Sequence, residues 1–180
     1  MIIVGLTGGV ASGKSTVAAW IRETGIAIHD ADAVVHSLSA ANGQAVEEII
    51  ATFGLDIRAS DGGIDREKLG EYVFANPGDR KKLESILYPL VRQHRDQFLQ
   101  DQRRLGSQIV VLDVPLLYET GGDGLCDYVI VVYADEKTIW HRALSRPGMT
   151  AKKLSGILAT QMPASEKCQR ADFVLDTDLD

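Results

Sequence analysis

The chain has 180 residues, 45% hydrophobic and 24% charged, with a formal net charge of −6. These proportions fit one ordinary globular domain and exclude a disordered, coiled-coil or collagen-like chain, and the acidic balance disfavours nucleic acid as the main partner. The apolar runs, Ile109-Val110-Val111-Leu112 among the longest, fall far short of the roughly 20 residues a membrane helix needs.

Ile2-Ile3-Val4-Gly5-Leu6 reads as a buried strand, followed by a glycine-rich loop and a helix carried by Val17, Ala18, Trp20 and Ile21 up to Gly25. Ile26-Ala27-Ile28 predicts a second strand ending in His29-Asp30-Ala31-Asp32, and Ala33-Val34-Val35 opens a further helix. Residues 55–104 read as a nearly all-helical insertion. In it Leu83, Ile86, Leu87, Leu90, Val91, His94 and Phe98 recur at helical spacing, and Pro89 is expected to kink the helix. Strands follow at Ile109–Asp113, Tyr128–Tyr133 and, shorter, Asp172–Leu175. Between the last two, Glu136 to Ser145 reads as helix, Pro147-Gly148 stops it, and Thr150 caps a second helix through Gln161. Strands alternating with helices imply an α/β fold with a parallel sheet covered on both faces, which gathers ligands at the carboxyl ends of its strands.

The glycine loop carries the chemistry. Gly8 through Gly13-Lys14-Ser15 matches G-x-x-x-x-G-K-S, set between strand and helix. Backbone amides and the positive helix N-terminus at such a loop suit a triphosphate, so Gly8, Gly9, Val10, Ala11, Ser12, Gly13, Lys14, Ser15 and Thr16 are the expected ATP-binding residues. Lys14 reaches the β and γ phosphates and the Ser15 hydroxyl is a ligand for Mg²⁺. Asp113, ending the third strand, either holds Mg²⁺, directly or through water, or plays a structural role. The guanine signature N-K-x-D and the switch D-x-x-G are both absent from the sequence, which leaves a small-molecule kinase ahead of a switch or a motor.

A kinase needs an acceptor-orienting carboxylate and cations. If the strand stays extended, Asp30 and Asp32 share a face toward the loop; alternatively Asp32 caps the following helix. Arg142 and Arg146, four apart, fall on one helical face where they can close on phosphoryl oxygens. Residues 65–104 hold nine Lys/Arg against seven Asp/Glu, and residues 136–161 five against one. Two locally basic segments on an acidic body suit a small polyanion. Arg92 and Arg95, with Tyr88 on the apolar face, offer an acceptor groove.

GLTGGVASGKST, HDAD, DGGIDREKL, YPLV, VVLDVPLLYETG and QMPASEKCQRADFVL, in that order, resemble the successive motifs of the dephospho-coenzyme A kinases. The resemblance implies a P-loop NTPase three-layer fold with about five parallel strands. It divides the chain into a nucleotide-binding core (1–54, 105–135 and 162–180), a helical acceptor-binding insertion (55–104) and a helical lid (136–161). It implies transfer of the γ-phosphoryl group of ATP, with Mg²⁺, to the 3′-hydroxyl of dephospho-coenzyme A. Asp32 is then the base or orienter of that hydroxyl, Lys14 neutralises the transferring phosphate and Arg142 is the lid arginine. Thr7 and Tyr118, inside two of the motifs, join Asp32, Tyr88, Arg92 and Arg95 on the acceptor side. The sequence departs from the family pattern at Tyr88-Pro89, where His-Pro is usual, and at Val35-His36, where arginine is common. A monomer in the cytoplasm is expected, with no nucleic-acid or membrane partner and with Cys126 and Cys168 as reduced thiols. A nucleoside monophosphate kinase and a non-catalytic nucleotide sensor are the competing readings.

Overall fold

In the computed structural model, which describes residues 1–178, the apolar run at the start of the chain forms β1 (Ile2–Gly8). The later runs form β2 (Ala27–Asp30), β3 (Ile109–Asp113), β4 (Tyr128–Tyr133) and β5 (Phe173–Asp176). They make one five-stranded sheet of order β2-β3-β1-β4-β5, parallel at the β1–β3, β1–β4 and β4–β5 pairs. The expected α/β fold with a five-stranded sheet is the one observed. The last two residues of the expected core, Leu179 and Asp180, lie outside the described residues.

Two compact units make up the chain, one of Met1–His29 with the chain from Gln102 onward, the other of Asp30–Asp101. The first is the sheet unit, and its layers follow from the pleat of β4. Val132 and Ile130 turn to one face, where Val17, Ala18 and Ile21 of α1 (Lys14–Glu23) pack with Leu6 and Val111. Val129 and Val131 turn to the other, against Leu117, Tyr118 and, partly buried, Met162, Cys168 and Ala171. Successive residues of a strand point to opposite faces, so one strand feeds both layers. Burial among apolar neighbours pushes the Cys168 thiol pKa up. β5 is one of the two edge strands, its residues exposed, with Phe173 leaning on Tyr128 at a ring separation of 6.1 Å.

The helical unit contains α2 (Ala31–Ser39), α3 (Val46–Phe53), α4 (Arg66–Ala75) and most of α5 (Pro77–Arg104). Its core joins Val34 and Leu38 to Val46, Ile49, Ile50, Ile57, Leu69, Ile86 and Leu87. The turn from α2 to α3 requires glycine at position 43, since a Cβ there would lie 2.3 Å from the Leu38 carbonyl oxygen. Helix α5 continues through Pro89, which has no amide to donate to the preceding turn and crowds the carbonyl four residues back.

Trp20, on the helix expected there, is 61% exposed. Three local expectations need correction. Asp32 does not cap α2: the helix begins at Ala31, and it is Asp30 whose carboxylate accepts from Ala33 N at 3.0 Å. Because the backbone turns helical directly after Asp30, the alternation that would have put Asp30 and Asp32 on one strand face ends there. The second lid helix, α7 (Ala151–Leu158), is capped by Thr150 as expected but stops three residues short of Gln161, and α8 (Ala164–Arg170) then forms.

Ile49 is fully buried at the centre of the helical unit's core. Ile49→Ala should cost about 2–5 kcal/mol of stability, read as a lower urea midpoint with an unchanged slope.

Candidate active site

The phosphate loop is built by three backbone decisions. Gly8 ends β1 so tightly packed that a Cβ would lie 2.6 Å from Ser12 Oγ and 2.7 Å from the Val132 carbonyl oxygen. Ala11 adopts φ 58°, and Gly13 adopts φ 89° as the residue before α1. Ser12 N donates to the Gly9 carbonyl and Thr16 N to that of Gly13, which curls the chain so that the first turn of α1 opens on the loop. That turn holds no acidic residue, so its positive dipole end is uncompensated except by an incoming anion. Ser15 and Thr16 are exposed in it. Ser12 Oγ is buried without a hydrogen-bond partner among the described residues.

Lys14 donates to Asp113 Oδ1 at 2.5 Å, the two side chains 13% and 4% exposed. Phosphate-loop lysine and strand-end carboxylate, nominated separately from sequence, therefore form one ion pair beside the loop. Ala11 is buried against Ala143 and Leu154, with Val10 and Trp140 at the edge, so α6 (Glu136–Leu144) and α7 rest on the loop.

Arg142 is in the last turn of α6, where Nη1 donates to Thr177 Oγ1 at 2.9 Å and Nη2 to the Thr177 carbonyl at 2.8 Å. Arg146 does not share its helical face, because α6 ends at Leu144; Arg146 is exposed in the following turn, its amide bonded to the Ala143 carbonyl. Pro147 lacks the amide proton to carry the helix on.

On the opposite side of β1, Thr7 is fully buried and its hydroxyl donates to the Pro115 carbonyl at 2.9 Å. The same carbonyl accepts from Lys167 Nζ at 2.9 Å; Lys167, only 1% exposed, also pairs with Glu119 at 2.9 Å. Glu119 accepts from Met162 N, and Gln161 Oε1 accepts from Val10 N at 3.1 Å. Tyr118 is buried beneath the Arg170 guanidinium, 4.3 Å from its ring centre. Burial pushes its hydroxyl pKa up while Arg170 opposes the shift.

In the helical unit, Asp32 is exposed in the first turn of α2. Tyr88 is 37% exposed on α5, its pKa raised by burial first and then by Glu84. Arg92, one turn on, is exposed, and Arg95 pairs with its neighbour Asp96 at 2.6 Å.

Sequence reasoning missed Gln161, Lys167, Glu119 and Thr177. The first two lie in the QMPASEKCQRADFVL stretch, where an unpaired-looking lysine beside apolar residues was the available signal. Thr177 carried none.

The phosphate loop thus stands at the end of the first strand, with its lysine on the carboxylate of β3. The dephospho-CoA kinase family profile matches residues 2–180. The chain belongs to the dephospho-CoA kinase family. Dephospho-CoA kinases of Symbiobacterium thermophilum and Mesorhizobium japonicum are each 46% identical to it, over 98% of this chain and 74% and 88% of theirs. Among solved structures, TT1252 from Thermus thermophilus superposes with a TM-score of 0.82 at 34% identity, covering 98% of this chain and 88% of that one. A dephospho-CoA kinase from Campylobacter jejuni gives 0.69 at 26%, covering 97% and 87%. Family members are kinases that take ATP as co-substrate, and the loop fits its triphosphate: a helix N-terminus with no acidic residue in its first turn and a lysine beside it. Among the described residues no helix is long and apolar enough to cross a membrane.

Gly8→Ala should lower the melting temperature and raise the KM for ATP by roughly tenfold or more, since its methyl meets both Ser12 Oγ and the backbone carbonyl of Val132. Nucleotide titration alongside a thermal melt separates the two effects.

Proposed function

We propose that the protein transfers the γ-phosphoryl group of ATP to the ribose 3′-hydroxyl of dephospho-coenzyme A, giving coenzyme A and ADP. The observation that carries this reading is the family match over residues 2–180 on a chain whose phosphate loop and Lys14–Asp113 pair are intact.

In the proposed reaction the loop amides of residues 8–15 and the α1 N-terminus hold the β and γ phosphates. Lys14 turns from Asp113 toward them and neutralises charge as the bond from the γ-phosphorus to its bridging oxygen lengthens. Asp32 orients the 3′-hydroxyl; its oxygen bonds to phosphorus, its proton passes late to the Asp32 carboxylate, and ADP departs with the bridging oxygen. Arg142 supplies positive charge to the equatorial oxygens in the transition state. Ser15 and Asp113 are the residues that would hold Mg²⁺, which supplies further charge neutralisation at the phosphates. Tyr88, Arg92 and Arg95 take the adenosine diphosphate end and pantetheine arm of the acceptor, with Thr7 and Tyr118 backing the site from the core. On this reading residues 55–104 bind the acceptor, 136–161 form the lid and the remainder the nucleotide core, and the protein works as a cytoplasmic monomer that needs no membrane or nucleic acid.

The test is a coupled ADP-release assay with dephospho-coenzyme A, AMP and adenosine as acceptors, the product position read by mass spectrometry and ³¹P NMR. Dephospho-coenzyme A should turn over and AMP and adenosine poorly, because they forgo the remote binding energy that positions the hydroxyl. Asp32→Asn should lower kcat by roughly 10²- to 10⁴-fold with the fold unchanged, and Lys14→Ala should abolish turnover. Phosphorylation of AMP with none of dephospho-coenzyme A would move the protein to the monophosphate kinases; tight ATP binding with no acceptor turned over would make it a sensor.

A further inference from the structure

Every polar group of Thr177, the second residue from the described end of the chain, is hydrogen-bonded, and together they reach the end of β4, the phosphate loop and α6. Its amide donates to the Tyr133 carbonyl at 2.9 Å, extending the β4–β5 ladder by one bond. Its hydroxyl faces the Ser12 carbonyl of the phosphate loop at 2.9 Å and that of Tyr133 at 3.1 Å, so its single proton is shared between them. The hydroxyl oxygen and the Thr177 carbonyl together accept both arms of the Arg142 guanidinium. Its methyl sits where a Cβ on Gly13 would come within 3.2 Å. The turn around it is pinned as well: Asp178 N donates to Asp176 Oδ1, and Asp178 Oδ2 accepts from the amide of Asp135, the residue that caps α6.

An arginine on a lid helix has many rotamers, and fixing it costs side-chain entropy that a two-point acceptor removes in advance. We propose that Thr177 is a positioning residue of the phosphoryl-transfer site, holding the Arg142 guanidinium and the Ser12 carbonyl of the phosphate loop in one fixed relation. This rests on the reading of Arg142 as a group that meets the transferring phosphate. The hydroxyl is the required element, because it alone accepts from the guanidinium while donating to the loop. Valine has the shape without the function, and serine the function without the methyl.

The experiment is a double-mutant cycle on the full chain: steady-state kinetics and thermal melts of the wild type, Thr177→Val, Thr177→Ser, Arg142→Ala and the Thr177→Val/Arg142→Ala double variant. Thr177→Val should lower kcat by roughly 10- to 100-fold, the worth of hydrogen bonds to a charged group, with a smaller change in the KM for ATP. Thr177→Ser should stay within about threefold of wild type. The double variant should match Arg142→Ala alone, since the hydroxyl has no guanidinium left to orient. Losses that multiply in the double variant, or a lower melting temperature with kcat unchanged, would overturn the proposal while leaving Arg142 its role. Arg142→Ala at wild-type kcat would overturn that role and the proposal together. If the Thr177→Val variant does not fold, Thr177→Ala, which removes the hydroxyl without adding bulk, takes its place in the cycle.

Discussion

An ammonium and a carboxylate 2.5 Å apart, both largely withdrawn from water, tie the first turn of α1 to the end of β3. Burying either charge alone costs several kcal/mol, so the pair forms only if the backbone brings both groups to the same point. The sheet does this through its register: Leu6 lies opposite Asp113, which puts the carboxylate level with the start of the loop that carries Lys14. Shifting β3 by one residue would send Asp113 to the other face of the sheet and strand the lysine. The phosphate loop, the helix after it and the strand beside it are thus one arrangement with a single electrostatic solution.

A second polar network lies on the other face of β1. Lys167, buried on α8, is satisfied by the Pro115 carbonyl and the Glu119 carboxylate, and the Pro115 carbonyl is shared with Thr7 of β1. One short stretch of chain thereby grips both sides of the nucleotide site: Lys167 holds the turn that follows Asp113, and Gln161 holds the Val10 amide of the phosphate loop. Such a network is favourable only when every member is paired, and here the lysine finds acceptors on two residues.

Much of this was legible in advance where local rules are strong. A five-residue apolar run before a glycine loop admits few readings, and the loop named its own lysine and serine. What escaped were residues whose meaning is set by partners far away in sequence. Asp30 and Asp32 are both good caps, and which one caps depends on where the strand stops, a matter of sheet length and not of either residue. Trp20 belongs to the apolar-periodic stretch of α1, yet it stays 61% exposed. Arg146 fits the periodicity of Arg142, but the helix ended first. Thr177 looks like any turn residue until the chain brings it back against Ser12.

The order of the strands also governs how the chain comes together during synthesis. β1 leaves the ribosome first, but its partners are Ile109–Asp113 on one side and Tyr128 onward on the other. The helical unit, Asp30–Asp101, is complete before either has been made. At ordinary elongation rates the first strand therefore waits on the order of ten seconds with both of its edges open. Throughout that interval the phosphate loop has its sequence but no sheet to stand on, and the nascent chain carries an apolar strand that a neighbouring ribosome's product could pair with.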